Sequence, residues 1–102
     1  MNLKKISIFW WEKNQVPKTM ELNKDVINIG REISNDLIIN SRSVSRKHGT
    51  IVRTSKSIHY IDYGNTSGSK VNGKKIFEND STLINPGDVI SLGLVDLTVA
   101  TN

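Results

Sequence analysis

The chain has 102 residues, no cysteine and a formal net charge of +4. That length supports one hydrophobic core without a metal or crosslinks, and the lack of cysteine excludes disulfide scaffolds, thiolate zinc sites and cysteine nucleophiles. The positive balance favours an acidic partner, be it nucleic acid, an anionic membrane or a phosphorylated protein.

The first apolar run, residues 4–11, reads as a strand. Its apolar core is too short for a secretion signal and runs directly into Glu12 and Lys13. No stretch is long enough to span a bilayer. The expectation is a cytoplasmic location and one domain over residues 1–102, without repeat, linker or low-complexity tract. Whether this is a whole protein or part of a longer one is left open. Residues 16–24 come nearest to a helical pattern, but Pro17 interrupts them early. Further strands are expected at residues 26–30, 36–39, 49–53 and 57–62. Lys70-Val71 and Lys74-Lys75-Ile76 flank Asn72-Gly73, the pattern of a two-residue hairpin turn whose central positions need positive φ. Asn85-Pro86-Gly87-Asp88 is another turn, leading into a last strand-like run at residues 89–100, where Val95, Leu97 and Val99 alternate with polar neighbours. Short runs separated by turn residues predict an all-β sandwich or barrel.

Polar fragments between these runs carry the candidate chemistry. Arg31 follows Gly30 at a strand end, where glycine frees the backbone to turn and the guanidinium offers a rigid fork of donors suited to phosphate or carboxylate. Ser43-Val44-Ser45-Arg46-Lys47-His48 places two hydroxyls and two cations just before the strand at residues 49–53, and hydroxyls, guanidinium and backbone N–H groups are what phosphate oxygens accept from. His48 reads as a buried, hydrogen-bonded structural residue. The glycine-punctuated loop from Asp62 to Ser69 offers the Thr66 and Ser67 hydroxyls, and it lacks the Gly-Lys-Ser/Thr ending of a nucleotide P-loop. Between Arg31 and Arg53 five basic residues stand against two acidic ones, a local excess of three positive charges.

In their order and spacing, Gly30-Arg31, Ser45 with His48, Asn65-Thr66-Ser67-Gly68-Ser69, Asn72-Gly73 and Gly87-Asp88 resemble the pattern of the forkhead-associated (FHA) domain over residues 26–99. The resemblance implies a β-sandwich of about eleven mostly antiparallel strands. Loops at one end would bind a phosphothreonine peptide supplied by a Ser/Thr protein kinase. It implies Arg31, Ser45, Arg46 and Thr66 as phosphate contacts and Ser67 at the place of an asparagine that holds the peptide backbone. Flanking peptide residues would be read near Arg42, Ser43 and Asn65, and Gly30, His48, Gly68, Asn72 and Gly73 would shape the loops. A small pocket for the γ-methyl would favour phosphothreonine over phosphoserine. Asn65, Ser67 and Ser69 depart from the usual serine, asparagine and threonine, so phosphate binding is expected to be kept and the grip on the peptide backbone to be weaker. No catalysis, metal, cofactor, nucleic acid or membrane is implied.

Three other readings compete. Hydrolysis would take Ser45 as nucleophile, His48 as base and Asp62 as orienter, but no nucleophile elbow or oxyanion hole is marked. Nucleic-acid binding would use Trp10 and Trp11, which as neighbours in a strand point to opposite faces, leaving one stacking platform. The third is a sandwich that binds a protein partner without phosphate.

Overall fold

The computed structural model describes residues 5–12, 15–64 and 68–101. Eleven strands and no helix occur among them: β1 (Ile6–Trp10), β2 (Lys18–Glu21), β3 (Val26–Gly30), β4 (Leu37–Ile38), β5 (Gly49–Arg53), β6 (Ile58–Asp62), β7 (Ser69–Val71), β8 (Lys74–Ile76), β9 (Ser81–Ile84), β10 (Val89–Leu92) and β11 (Val95–Thr101). One sheet has the order β2-β1-β11-β10-β7-β8 and the other β4-β3-β5-β6-β9. Strand pairs are antiparallel except the short parallel pair β3–β4, in which Ile29 lies opposite Leu37, and an isolated bridge between Asp62 and Glu78 is also parallel.

Period-two patterning explains the layers, because alternate side chains of a strand face opposite sides of its sheet. Ile6, Ile8, Ile90, Leu92, Leu97 and Val99 come from the first sheet, and Ile27, Ile29, Ile51, Ile58 and Tyr60 from the second; all are at most 2% exposed. Burying each such aliphatic side chain contributes roughly 1.5–3 kcal/mol. Tyr60 carries a hydroxyl into this core, so it needs a partner. It donates to Ser69 Oγ at 2.8 Å, and Ser69 Oγ donates onward to Asp62 Oδ1 at 2.5 Å. Burial pushes the Tyr60 phenol far above its ordinary range.

Three details differ from the sequence-based expectation. Residues 18–21, inside the segment nearest to a helical pattern, form β2, and β9 was not anticipated as a strand. Both are edge strands, and β9 buries only Ile84 while β2 buries no residue fully, so neither carries the apolar alternation that marks a half-buried strand. The run at residues 89–100 is two strands, because Gly93 takes φ +57° and the chain reverses with Leu92 opposite Val95. The apolar residues on both sides of that turn hide it from a hydropathy reading.

The turns fall into two groups at opposite ends of the sandwich. At the end away from Arg31, Asn72 (φ +52°) and Gly73 (φ +82°) form the expected tight turn between β7 and β8. This turn is tied to the Pro-Gly-Asp turn, since Asn72 Oδ1 accepts from Val89 N–H at 2.9 Å and Asn72 Nδ2 donates to Asp88 Oδ1 at 2.9 Å. Asp88 Oδ2 in turn accepts from Asn85 N–H at 2.7 Å, and the bonds from Asn85 and then Asn72 hold the Asp88 carboxyl below its usual range. Alanine at position 72 loses both side-chain bonds and must adopt left-handed backbone. Asn72→Ala is therefore expected to lower unfolding free energy by about 2 kcal/mol in urea titration.

Candidate functional site

At the other end, the segment after β3 and the segment before β5 lie side by side. Arg31 N–H donates to Ser45 O at 3.0 Å and Glu32 N–H to Arg46 O at 3.2 Å, while His48 N–H donates to Ile29 O at 2.9 Å. The Arg31 side chain adds Nε to Val44 O at 3.0 Å. One of its five N–H donors is thereby spent on orientation, and the terminal nitrogens remain for a ligand. Arg31 and Arg46 are exposed and Ser45 is half-buried. The Arg46 guanidinium and Ser45 Oγ have no hydrogen-bond partner among the described residues. The structure thus brings together three of the four residues implied as phosphate contacts. The fourth, Thr66, lies outside the described residues, as do Asn65 and Ser67.

Gly30 serves this arrangement through close approach, and its φ is not in the left-handed region. A Cβ there would sit 2.1 Å from Arg46 O and 2.8 Å from Asn35 Nδ2. The expectation that glycine frees the backbone to turn is corrected accordingly: a missing side chain, and not an unusual dihedral, is what the position requires. Asn35 closes the same contact, with Nδ2 donating to Arg46 O at 2.7 Å and to Glu32 O at 2.8 Å. No sequence motif marked Asn35, since an asparagine in a polar loop looks like any turn residue.

His48 is fully buried and joins two loops. Its Nδ1 accepts from Ser45 N–H at 3.0 Å, and its Nε2 lies 2.8 Å from Gly68 O. The acceptor role of Nδ1 assigns the proton to Nε2, which donates to the Gly68 carbonyl. Burial lowers the His48 pKa, opposed by the Gly68 bond and by the charge of Asp62. This geometry removes the hydrolytic reading, because Nδ1 is occupied by the Ser45 backbone and Nε2 points to a carbonyl, so neither nitrogen serves Ser45 Oγ as a base. Gly68 itself adopts φ +74°. Asp62, the third member of that reading, accepts from Gly64 N–H at 2.8 Å and from Ser69.

Of the flanking candidates, Ser43 is a brace: its Oγ accepts from Leu94 N–H at 3.0 Å and lies 2.9 Å from Ser41 Oγ. It ties the β10–β11 turn to the β4–β5 loop. Arg42 is exposed and lines a cleft of about 310 Å³ with Glu12, Gln15, Asn40 and Ser41. Burial works against the charge of Glu12, but bonds from Lys18, Trp10 and the Asn40 backbone outweigh it and hold the carboxyl below its usual range. Trp10 is consequently a core residue bonded to Glu12 Oε1 at 3.2 Å, whereas Trp11 is 58% exposed. Asn72 and Gly73 lie at the far end and touch none of these groups. No helix among the described residues is long and apolar enough to cross a membrane.

The family model described as the FHA domain matches residues 27–93, and the chain belongs to that family. Over 82 residues it is 35% identical to the ABC transporter ATP-binding/permease protein Rv1747 of Mycobacterium tuberculosis, a match that covers 80% of this chain and 9% of that protein. The Slr1951 protein of Synechocystis sp. superposes with a TM-score of 0.85 at 25% identity, covering 98% of each chain. The N-terminal FHA domain of Rad53p from S. cerevisiae, crystallised with a phosphothreonine peptide, gives a TM-score of 0.79 at 19% identity over 97% of this chain and 94% of that one.

The His48 bridge makes stability depend on pH. With the folded-state pKa below the ordinary 6.5, the unfolded chain takes up the proton first. The stabilisation is complete above that value and is lost as pH falls from it through the folded pKa. Urea titrations of the unliganded protein at descending pH are expected to show this loss, and His48→Gln is expected to start less stable and to lack the histidine part of the slope.

Proposed function

We propose that this chain is a non-catalytic module that binds phosphothreonine in a partner protein, downstream of a Ser/Thr kinase on the cytoplasmic side. The observation that carries this reading is the backbone register of Arg31 and Glu32 against Ser45 and Arg46. It sets the residues that carry one hydroxyl and two guanidinium groups on adjoining segments, with side-chain donors to spare. A phosphothreonine brings a charge of about −1.5 to −2 and three acceptor oxygens, which matches that donor set. Thr66 completes the phosphate contacts in this reading and Ser67 holds the peptide backbone. Arg42 and Asn65 read flanking residues, with Ser43 supporting them through its bond to the β10–β11 turn. A yeast domain of the same fold has been crystallised with a phosphothreonine peptide, which supports this class of ligand.

Losing one partner of a desolvated charge pair costs roughly 2–5 kcal/mol, and each 1.4 kcal/mol is about tenfold in affinity. Arg31→Ala is therefore expected to weaken binding by well over tenfold while the protein stays folded. Binding of a degenerate phosphothreonine peptide library, with phosphoserine and unphosphorylated versions beside it, measures this. Wild-type selectivity for phosphothreonine that disappears in Arg31→Ala supports the proposal. Equal binding by both proteins, or no binding by folded wild type, overturns it in favour of a phosphate-independent interaction domain.

A further inference from the structure

Beside the phosphate-binding segment lies a second cleft that the reading above does not use. It measures about 420 Å³ and is lined by Asn28, Ser34, Asn35, Lys47 and Tyr63. Lys47 directly follows Arg46, so their Cα atoms are about 3.8 Å apart across one trans peptide. Asn35 belongs to both places, lining the cleft while its Nδ2 holds the Arg46 carbonyl. The two sites therefore adjoin each other on one stretch of chain.

The hydrogen-bond inventory of the cleft shows what it offers. Tyr63 OH donates to Asn28 Oδ1 at 2.9 Å, so the Asn28 amide is oriented and its Nδ2 hydrogens remain as donors. Among the described residues Asn28 Nδ2, Ser34 Oγ and Lys47 Nζ have no partner. The cleft thus holds an ammonium, a hydroxyl and an oriented amide. Of the surrounding acids, Asp36 is already engaged, its Oδ1 taking Lys24 Nζ at 2.8 Å and its Oδ2 taking Asn28 N–H at 2.9 Å, while Glu32 is tied to Asn35 through its main chain and the Glu78 side chain packs against Gly64, next to Tyr63. A cation with no ion-pair partner among the described residues, beside two neutral donors, is a set for an oxyanion. Asn35 Oδ1, left as an acceptor, suits a peptide N–H alongside it.

We infer that this cleft binds a second anionic side chain of the same phosphopeptide, close in sequence to the phosphothreonine. The inference rests on the phosphothreonine reading and adds a preference to it. The ligand chemistry is an oxyanion, supplied by an aspartate or glutamate or by a second phosphorylated residue.

The test uses single-phosphothreonine peptides in an otherwise neutral background. In one series a glutamate is walked through each flanking position, and in another a phosphoserine takes its place. Affinity for wild type is expected to rise about tenfold at one register, as a charge-assisted hydrogen bond of roughly 1.4 kcal/mol would give. The series with the larger gain identifies the source of the anion. Lys47→Met is expected to abolish the gain while binding the neutral-flanked peptide as wild type does. Asn28→Asp keeps the acceptor for Tyr63 but puts a carboxylate in the cleft, and is expected to turn the gain into a loss. If the neutral peptides bind in an Arg31-dependent way but no position shows a gain, or the gain survives both variants, the cleft is a solvated surface and the inference falls alone. If no phosphothreonine peptide binds, the phosphothreonine reading falls and takes this inference with it.

Discussion

The end of the sandwich that carries Arg31, Ser45 and Arg46 depends on one imidazole. His48 sits where the β4–β5 and β6–β7 loops meet, accepting from the Ser45 N–H and donating to the Gly68 carbonyl. A buried backbone donor or acceptor without a partner costs about as much as a lost hydrogen bond, and this ring satisfies one of each from different loops. It does so only when neutral, because a charged imidazole has no acceptor left for Ser45. Burial, which disfavours the charged form, therefore serves the geometry of the site as well as the stability of the fold.

Around that bridge, backbone contacts do most of the positioning. Arg31 and Arg46, two like charges, are brought near each other by bonds between main-chain groups and not by any pairing of their side chains. Both residues stay exposed and form no ion pair among the described residues. In the proposed reading an anion would meet donors whose main chain is already in place. Such preorganisation cuts the entropic cost of binding. Gly30 and Asn35 are the hidden requirements: one leaves room for the Arg46 carbonyl, and the other occupies it with an amide.

The two ends of the sandwich divide the labour. At the far end Asn72 and Asp88 consume their polar groups on each other and on the backbone, which locks the β7–β8 and β9–β10 connections. At the near end Ser43 ties the β10–β11 turn to the loop carrying Ser45, while Ser45, Arg46 and Lys47 keep their side-chain donors. Both kinds of loop are short, polar and glycine-containing, so composition does not tell them apart. What separates them is whether their donors are already matched in the folded chain.

The sequence by itself determined the β class, the central strands and the order of the motif residues. Alternation of apolar residues and turn chemistry are local properties, and β1, β3, β5, β6 and the Asn72-Gly73 turn carry them strongly. β2 and β9 were not legible, because an edge strand with little buried surface leaves almost no apolar signature, and the Gly93-Leu94 reversal was masked by leucines on both sides. For the site, Arg31, Ser45 and Arg46 were recognisable as residues. Their convergence was expected only through the family resemblance, and the main-chain bonds that produce it were not legible, because they join segments more than a dozen residues apart. Ser43 as a brace, Asn35 as a clamp and Lys47 in the lining of a second cleft were decided by the tertiary structure alone, since the role of a polar side chain depends on which of its hydrogen bonds the fold has already used.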